Sequence, residues 1–271
     1  MPVSDVTSHP LADLISLHGR SAVITGGAKG LGLAIAQRLA EAGAQVVLGD
    51  VDESAALAAA EQIATTYGVT AVGAKLDVAD AASISALADL AVARFGQLDI
   101  WVNNAGIYPL ATALTTTDAQ LDLVLNINLR GTFIGCREAA VRMLVDAAGT
   151  GKVIINIAST SAFNVNGNAA HYVASKHGVA GTTKAFATEL GPKGIRVVAI
   201  APTATKTPGL EANIQSSDAV KAGLEAFANR LPLGRGGVPD DIARVVLFSA
   251  SDLAAFVTGI VIPVDGGEQA A

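Results

Sequence analysis

Tyr172 and Lys176 stand four residues apart in His171-Tyr172-Val173-Ala174-Ser175-Lys176, a spacing that places two side chains on one face of a helix. A phenol with an ordinary pKa of about 10 is a poor base near neutrality, and a neighbouring ammonium favours the phenolate and lowers that value. Such a pair can pass a proton to or from a substrate oxygen. By itself the spacing is common on solvated helices. Ser159 adds weight, because it closes the apolar run Asn156-Ile157-Ala158-Ser159, and the connection onward to Tyr172 is long enough to return its hydroxyl to the same place. A hydroxyl there would steady an oxygen whose charge changes during reaction.

A second group of residues has the chemistry of a phosphate cradle. Thr25-Gly26-Gly27-Ala28-Lys29-Gly30-Leu31-Gly32 follows a short β-branched run and precedes an amphipathic stretch through Ile35, Leu39 and Ala42. Glycines let the backbone turn sharply and approach a pyrophosphate, while a helix N-terminus offers unpaired N–H groups. Asp50, followed by Val51, ends the next apolar run, where a carboxylate accepts hydrogen bonds from the adenosine ribose. A carboxylate there repels the 2′-phosphate that distinguishes NADP from NAD. Lys29 pulls the other way, but a lysine in that turn can equally stay solvated, so NAD is the expected cofactor.

These motifs, with Asn103-Asn104-Ala105-Gly106 and Asn128 between them, resemble the short-chain dehydrogenase/reductase family. The resemblance runs from about residue 18 to residue 267 and takes in Pro232-Leu233-Gly234-Arg235, Thr258-Gly259 and Val264-Asp265-Gly266-Gly267. It implies hydride transfer between a nicotinamide cofactor and a secondary alcohol or ketone. Ser159 would hold the substrate oxygen and Tyr172 would exchange its proton. Lys176 would lower the Tyr172 pKa and hold the nicotinamide ribose, and Asn128 would support a water linking Lys176 to solvent. By the same resemblance Asp77 and Val78 contact adenine, Asn104, Ala105 and Gly106 flank the adenosine ribose, and Pro202, Thr205 and Thr207 border the nicotinamide. The family usually has Pro-Gly where this chain has Pro202-Thr203, which alters the backbone beside the nicotinamide or narrows the substrate cavity. A homotetramer is implied as well, with helices over 117–148 and 171–190 as interface candidates.

Tyr108, Ser161, Phe163, Thr203 and Leu210 are the candidate substrate contacts, together with Ile214 and Phe227. His171 should point about a quarter turn away from Tyr172, toward substrate, surface or a subunit interface. Asn164, Asn166 and Asn168 read as turn formers. An NADPH-dependent reductase of 3-oxoacyl thioesters is the alternative within the same chemistry, and Asp50 and the acidic balance count against it. A non-catalytic NAD(H) sensor is the alternative from another class, opposed by the complete Asn128, Ser159, Tyr172, Lys176 set.

To position these residues the chain needs strands that end at one edge and helices that start there. Apolar β-branched runs at 22–25, 46–48, 70–76, 98–102, 153–157, 197–200 and 260–264 alternate with Ala/Leu-rich stretches of helical spacing. The pattern predicts an α/β fold of Rossmann type, a seven-stranded, mostly parallel sheet with helices on both faces. Thr117 with Gln120, Asp80 and Pro239 mark helix starts. Residues 1–17 read as an N-terminal extension, 18–271 as a single domain, and about 203–235, with Pro202, Pro208, Pro232 and several glycines, as a helical lid.

Composition bounds the rest. Of 271 residues 51% are hydrophobic and 15% charged, enough apolar surface for an ordered core. A net charge of −6 with scattered basic residues argues against nucleic acid and anionic membranes. The single cysteine, Cys136, reads as a core thiol, and no Cys/His spacing suggests a metal site. With no basic, apolar leader at the start, the cytoplasm is the expected compartment.

Overall fold

A computed structural model describes residues 5–145, 151–165, 167–207, 210 and 218–270. After a short helix α1 (Leu11–Ile15), strands and helices alternate: β1 (Ser21–Thr25), α2 (Gly30–Glu41), β2 (Gln45–Asp50), α3 (Glu53–Tyr67), β3 (Ala71–Lys75), α4 (Ala81–Phe95), β4 (Ile100–Asn103). Helix α5 (Asp118–Val124) continues through a π turn (Leu125–Arg130) into α6 (Gly131–Val145). Then come β5 (Lys152–Ile157), α7 (Ala170–Leu190), β6 (Ile195–Pro202), α8 (Asp218–Arg230), α9 (Pro239–Ala250) and β7 (Val261–Val264).

The sheet has the order β3-β2-β1-β4-β5-β6-β7 with every neighbouring pair parallel. All seven expected strands are present. β6 extends beyond the expected 197–200 at both ends, in part because Arg196 is buried with its guanidinium donating to the carbonyls of Ser249 (2.9 Å) and Val257 (3.3 Å). A charged residue in a strand end is invisible to an apolar pattern when its partners lie far along the chain.

Near-continuous apolar strands let both faces bury. Ala22, Ile24, Val46 and Leu48 pack with Ile35 and Leu39 of α2, Ile63 of α3 and Val246 of α9 on one side. Val23, Val47, Trp101 and Ile154 pack with Leu87 of α4, Met143 of α6 and Leu190 of α7 on the other. The three marked helix starts are as expected. Thr117 and Gln120 form a capping box, Asp80 accepts from the Ala82 N–H, and Pro239 opens α9.

The long helix expected over 117–148 is interrupted by its π turn, and residues 146–148 lie outside the described residues. π turns concentrate at functional sites, and this one carries Asn128. In the lid, Pro208, Gly209 and 211–217, including Ile214, lie outside the described residues, as does Asn166 in the connection before α7. The two roots of the lid are tied together: Lys206 N–H donates to Gly237 O (2.9 Å) and Gly237 N–H to Ala204 O (3.1 Å). Among the described residues no helix is long and apolar enough to cross a membrane.

Candidate active site

Strand order reverses direction between β1 and β4, which opens a crevice at the carboxyl ends of these strands. The glycine-rich turn lines one wall. Gly26 has φ +63°, and a Cβ there would stand 3.0 Å from Ala105 Cα; a Cβ on Gly32 would stand 2.0 Å from Gly26 O. Only glycine lets these backbones approach so closely. At the start of α2 the N-cap Lys29 provides no side-chain cap, which leaves the first-turn N–H groups, including that of Leu31, to a ligand. The Leu31 side chain itself packs against the core.

Asn104 closes the crevice at its base. Its amide donates to Thr25 O (2.8 Å) and Gly26 O (3.0 Å), and the Thr25 hydroxyl accepts from the N–H groups of Asn104 and Ala105 (3.0 Å each). Asp50 is buried at the end of β2 and accepts from Ala28 N–H (3.1 Å) and Asp52 N–H (3.2 Å), fixed beside the glycine turn. Asp52 is held below the usual carboxylate range by the Ala55 N–H first, then by the Ser54 hydroxyl, with the nearby Lys29 charge contributing. Val51 is exposed. Asp77 is exposed too, accepting from Ala79 N–H (2.9 Å), and Val78 beside it is partly buried, its carbonyl against Gly131.

Across the crevice lie Ser159, Tyr172, Lys176 and Asn128. Ser159 Oγ accepts from Ser161 N–H (3.1 Å) and shares a hydrogen bond with the Tyr172 phenol. Lys176 Nζ donates to Ile157 O (2.8 Å) and stands 5.6 Å from the centre of the Tyr172 ring. Asn128 is buried and grips the backbone of Ile107 twice, its Oδ1 accepting from the N–H and its Nδ2 donating to the carbonyl, both at 2.9 Å. Its Nδ2 also reaches Ser175 Oγ (3.3 Å), which in turn donates to Tyr172 O (2.7 Å). The Asn128 side chain is thereby a positioning group, spent on holding the segment after Gly106 against α7.

Electrostatics depart from expectation at one point. Burial pushes the Tyr172 phenol up to about 12, with the Ser159 hydrogen bond pulling it down and Tyr108 adding to the rise. Burial brings Lys176 down to about 8. The expected lowering of Tyr172 by Lys176 is absent in the chain alone, because the ammonium is directed at the Ile157 carbonyl rather than at the phenol oxygen.

Of the candidate substrate contacts, Tyr108 touches Tyr172 in a T-shaped ring contact and Phe163 is exposed nearby in sequence to Ser159. Ser161 is buried and serves Ser159 through its N–H. Thr203 is buried with its hydroxyl donating to Glu268 Oε2 (2.5 Å), so the residue replacing the usual glycine is turned to the C-terminal turn. Thr205 donates to Thr203 O (2.8 Å), and Thr207 Oγ1 accepts from the N–H of Leu210, which is partly buried (3.4 Å). Pro202 ends β6 and Phe227 is partly buried in α8. His171 is not at the surface: it is 3% exposed, and its ring nitrogens make no hydrogen bond among the described residues.

Sequence reasoning missed Ile107, Ser175 and Glu268. Ser175 sat in plain view within the Tyr172–Lys176 motif, whereas Ile107 acts through its backbone and Glu268 through a contact 65 residues distant, and neither leaves a pattern to read.

Residues 26–269 match the family model described as enoyl-(acyl carrier protein) reductase. The D-threitol dehydrogenase of Mycolicibacterium smegmatis is 39% identical over 93% of this chain and 93% of its own length. The trans-4-hydroxycyclohexanecarboxylate dehydrogenase of Sinomonas cyclohexanicum is 39% identical over 92% of each chain. The crystal structure of levodione reductase superposes with a TM-score of 0.88 at 37% identity, covering 94% of this chain and 99% of that one. The chain belongs to the short-chain dehydrogenase/reductase family and is an oxidoreductase; the family works with a nicotinamide nucleotide.

Proposed function

We propose that the protein interconverts a secondary alcohol and a ketone with NAD(H). The observation that carries this reading is the convergence of Ser159, Tyr172 and Lys176 across the crevice from a glycine turn whose helix start carries no side-chain cap. The cradle residues fit a dinucleotide: uncapped N–H groups at the start of α2 suit a pyrophosphate, and Asp50 suits a ribose diol. When bound, the nicotinamide supplies the hydride donor or acceptor.

The chain's own residues handle the proton. Tyr172, held protonated well above neutrality, is in the state that donates to a ketone oxygen during reduction. For alcohol oxidation it must accept a proton, which requires Lys176 and Ser159 to favour the phenolate once substrate is seated. Ser159 orients the substrate oxygen, and Asn128 keeps α7 and the Ile107 segment in register.

NAD is preferred over NADP in this reading because Asp50 is fixed beside the turn, while the Lys29 charge is near another carboxylate, Asp52. A relative that is a 3-oxoacyl-[acyl-carrier-protein] reductase supports NADPH-dependent reduction of 3-oxoacyl thioesters as the second reading. Turnover of a 3-oxoacyl thioester with NADPH, without turnover of the alcohol panel, would establish it.

Turnover of a secondary-alcohol panel with NAD and NADP, beside Tyr172→Phe, is the decisive assay. Tyr172→Phe should lower kcat by about 10²–10⁴ while NADH still binds. Near-full activity in that variant would remove Tyr172 from the mechanism.

The proposal extends to assembly. A cavity of about 390 Å³ between the π turn, α6 and α7, lined by Leu125, Leu129, Phe133 and Gly178 among others, offers an apolar face to a second copy of the chain.

A further inference from the structure

Resting on the hydride-transfer reading above, we infer that the substrate is an uncharged alcohol or ketone with an apolar body, and that Tyr108 is the specificity-determining wall against which that body lies. The Tyr108 ring meets the Tyr172 ring with centroids 4.5 Å apart and planes at 72°. This contact puts residue 108 at the proton-transfer group itself. Tyr108 is still 37% exposed, so the remainder of the ring is available to whatever approaches Tyr172.

The segments that flank the phenol are the second observation. Residues 103–117 and 153–175 contain no Asp, Glu, Lys or Arg. Ala111 N–H donates to Asn168 O (2.9 Å), which holds the two segments side by side. Their exposed large hydrophobic side chains include Leu110, Leu114, Val165 and Phe163, the last 44% exposed, beside exposed but uncharged Thr112 and Asn168. The histidine in this stretch, His171, is buried. Lys176 is directed to Ile157 O, and Arg235 at the far root of the lid is paired with Asp241 at 2.6 Å.

A carboxylate or phosphate on the substrate would therefore lose water against these two segments without gaining a cation from either, whereas a saturated ring or branched alkyl body would lose apolar surface to Tyr108 and Phe163. Hydroxyl-rich chains would leave polar groups against apolar side chains in the same way. Aromatic rings accept such bodies on their faces without demanding a hydrogen bond.

A matched set of substrates tests this with the intact protein: 4-methylcyclohexanol, 4-hydroxycyclohexanecarboxylate and threitol, each assayed for kcat/KM with NAD and with NADP. Wild type should favour 4-methylcyclohexanol over the other two by about 100-fold or more. Tyr108→Ala should lower kcat/KM for 4-methylcyclohexanol by about tenfold, mainly through KM, and Tyr108→Phe should stay within about threefold of wild type. NADH binding, followed by fluorescence, should be the same in all three proteins. Equal or better use of the carboxylate or of threitol by wild type overturns the substrate class, even if Tyr108→Ala fails to fold. An unchanged Tyr108→Ala overturns the wall. Failure of wild type on all three, and on a broad alcohol panel with either nucleotide, overturns the secondary-alcohol reading and this inference with it.

Discussion

Lys176 and Asp50 are two side chains whose charge has a measurable consequence, one in stability and one in cofactor choice. Lys176 is brought down to about 8 by burial, below the ordinary lysine value of about 10.4 that the unfolded chain retains. Between these values the unfolded state binds more protons than the folded one, so Lys176 makes stability rise with pH from about 8 to about 10. Below about 8 both states carry the charge, and the full cost of burying it is present. Cys136, pushed up to about 12 by burial, works in the opposite sense from about 9 upward, which overlaps this window, so the comparison must be with a variant. Urea unfolding at pH 7.5 and 9.5 should show Lys176→Met gaining relative stability at the lower pH and losing that advantage at the higher. A constant difference would mean that Lys176 is not desolvated. Asp50→Ala should reduce discrimination against NADP by about tenfold or more in paired kcat/KM measurements, since the repelling carboxylate is gone. An unchanged ratio would place the ribose elsewhere. These residues were legible because their chemistry depends on side-chain type and local spacing. The direction of the Tyr172 shift was not, because desolvation is set by everything folded around the phenol.

Elements position the site through contacts that mix pattern and accident of distance. The strand runs, the Thr117 capping box and the Asp80 and Pro239 helix starts are local, and the sequence shows them directly. The π turn is not local. It accompanies the double grip of Asn128 on Ile107, 21 residues earlier, and no periodicity records such a bond. Behind the site, Trp101 Nε1 donates to Asn103 Oδ1 (2.7 Å), Asn103 Nδ2 donates to Asn156 Oδ1 (2.8 Å), and Asn156 Nδ2 donates to Thr183 Oγ1 (3.0 Å). This buried chain of amides joins β4 and β5 to α7, the helix that carries Tyr172. Gly135 of α6 is pressed against it, and a Cβ there would lie 2.1 Å from Asn103 Oδ1. Gly135→Ala should therefore cost about 1–3 kcal/mol despite the better helix propensity of alanine, read from the urea midpoint. A neutral or stabilising result would show that the amide chain can shift at no cost.

For the whole molecule, the α6–α7 face presents partly exposed apolar side chains beside an open pocket. Phe133, 47% exposed, lies in an edge-to-face ring contact with Phe186 at 5.0 Å, on the rim of the apolar cavity between the π turn and α7. Phe133→Glu should shift the proposed assembly to smaller species in sedimentation velocity, because a carboxylate buried between copies loses its water. Wild type that sediments as a monomer would remove the assembly proposal.

The strand order has a kinetic consequence. β1 pairs with β2 soon after it in the chain, but its other neighbour is β4, with Ala22 opposite Ile100, and only that pairing brings Ala105 against Gly26. Closing so long a loop is entropically slow, as parallel sheets are in general. The dinucleotide cradle therefore comes into being only after the two halves of the sheet have met. Nucleotide addition during refolding would then capture finished molecules rather than guide unfinished ones.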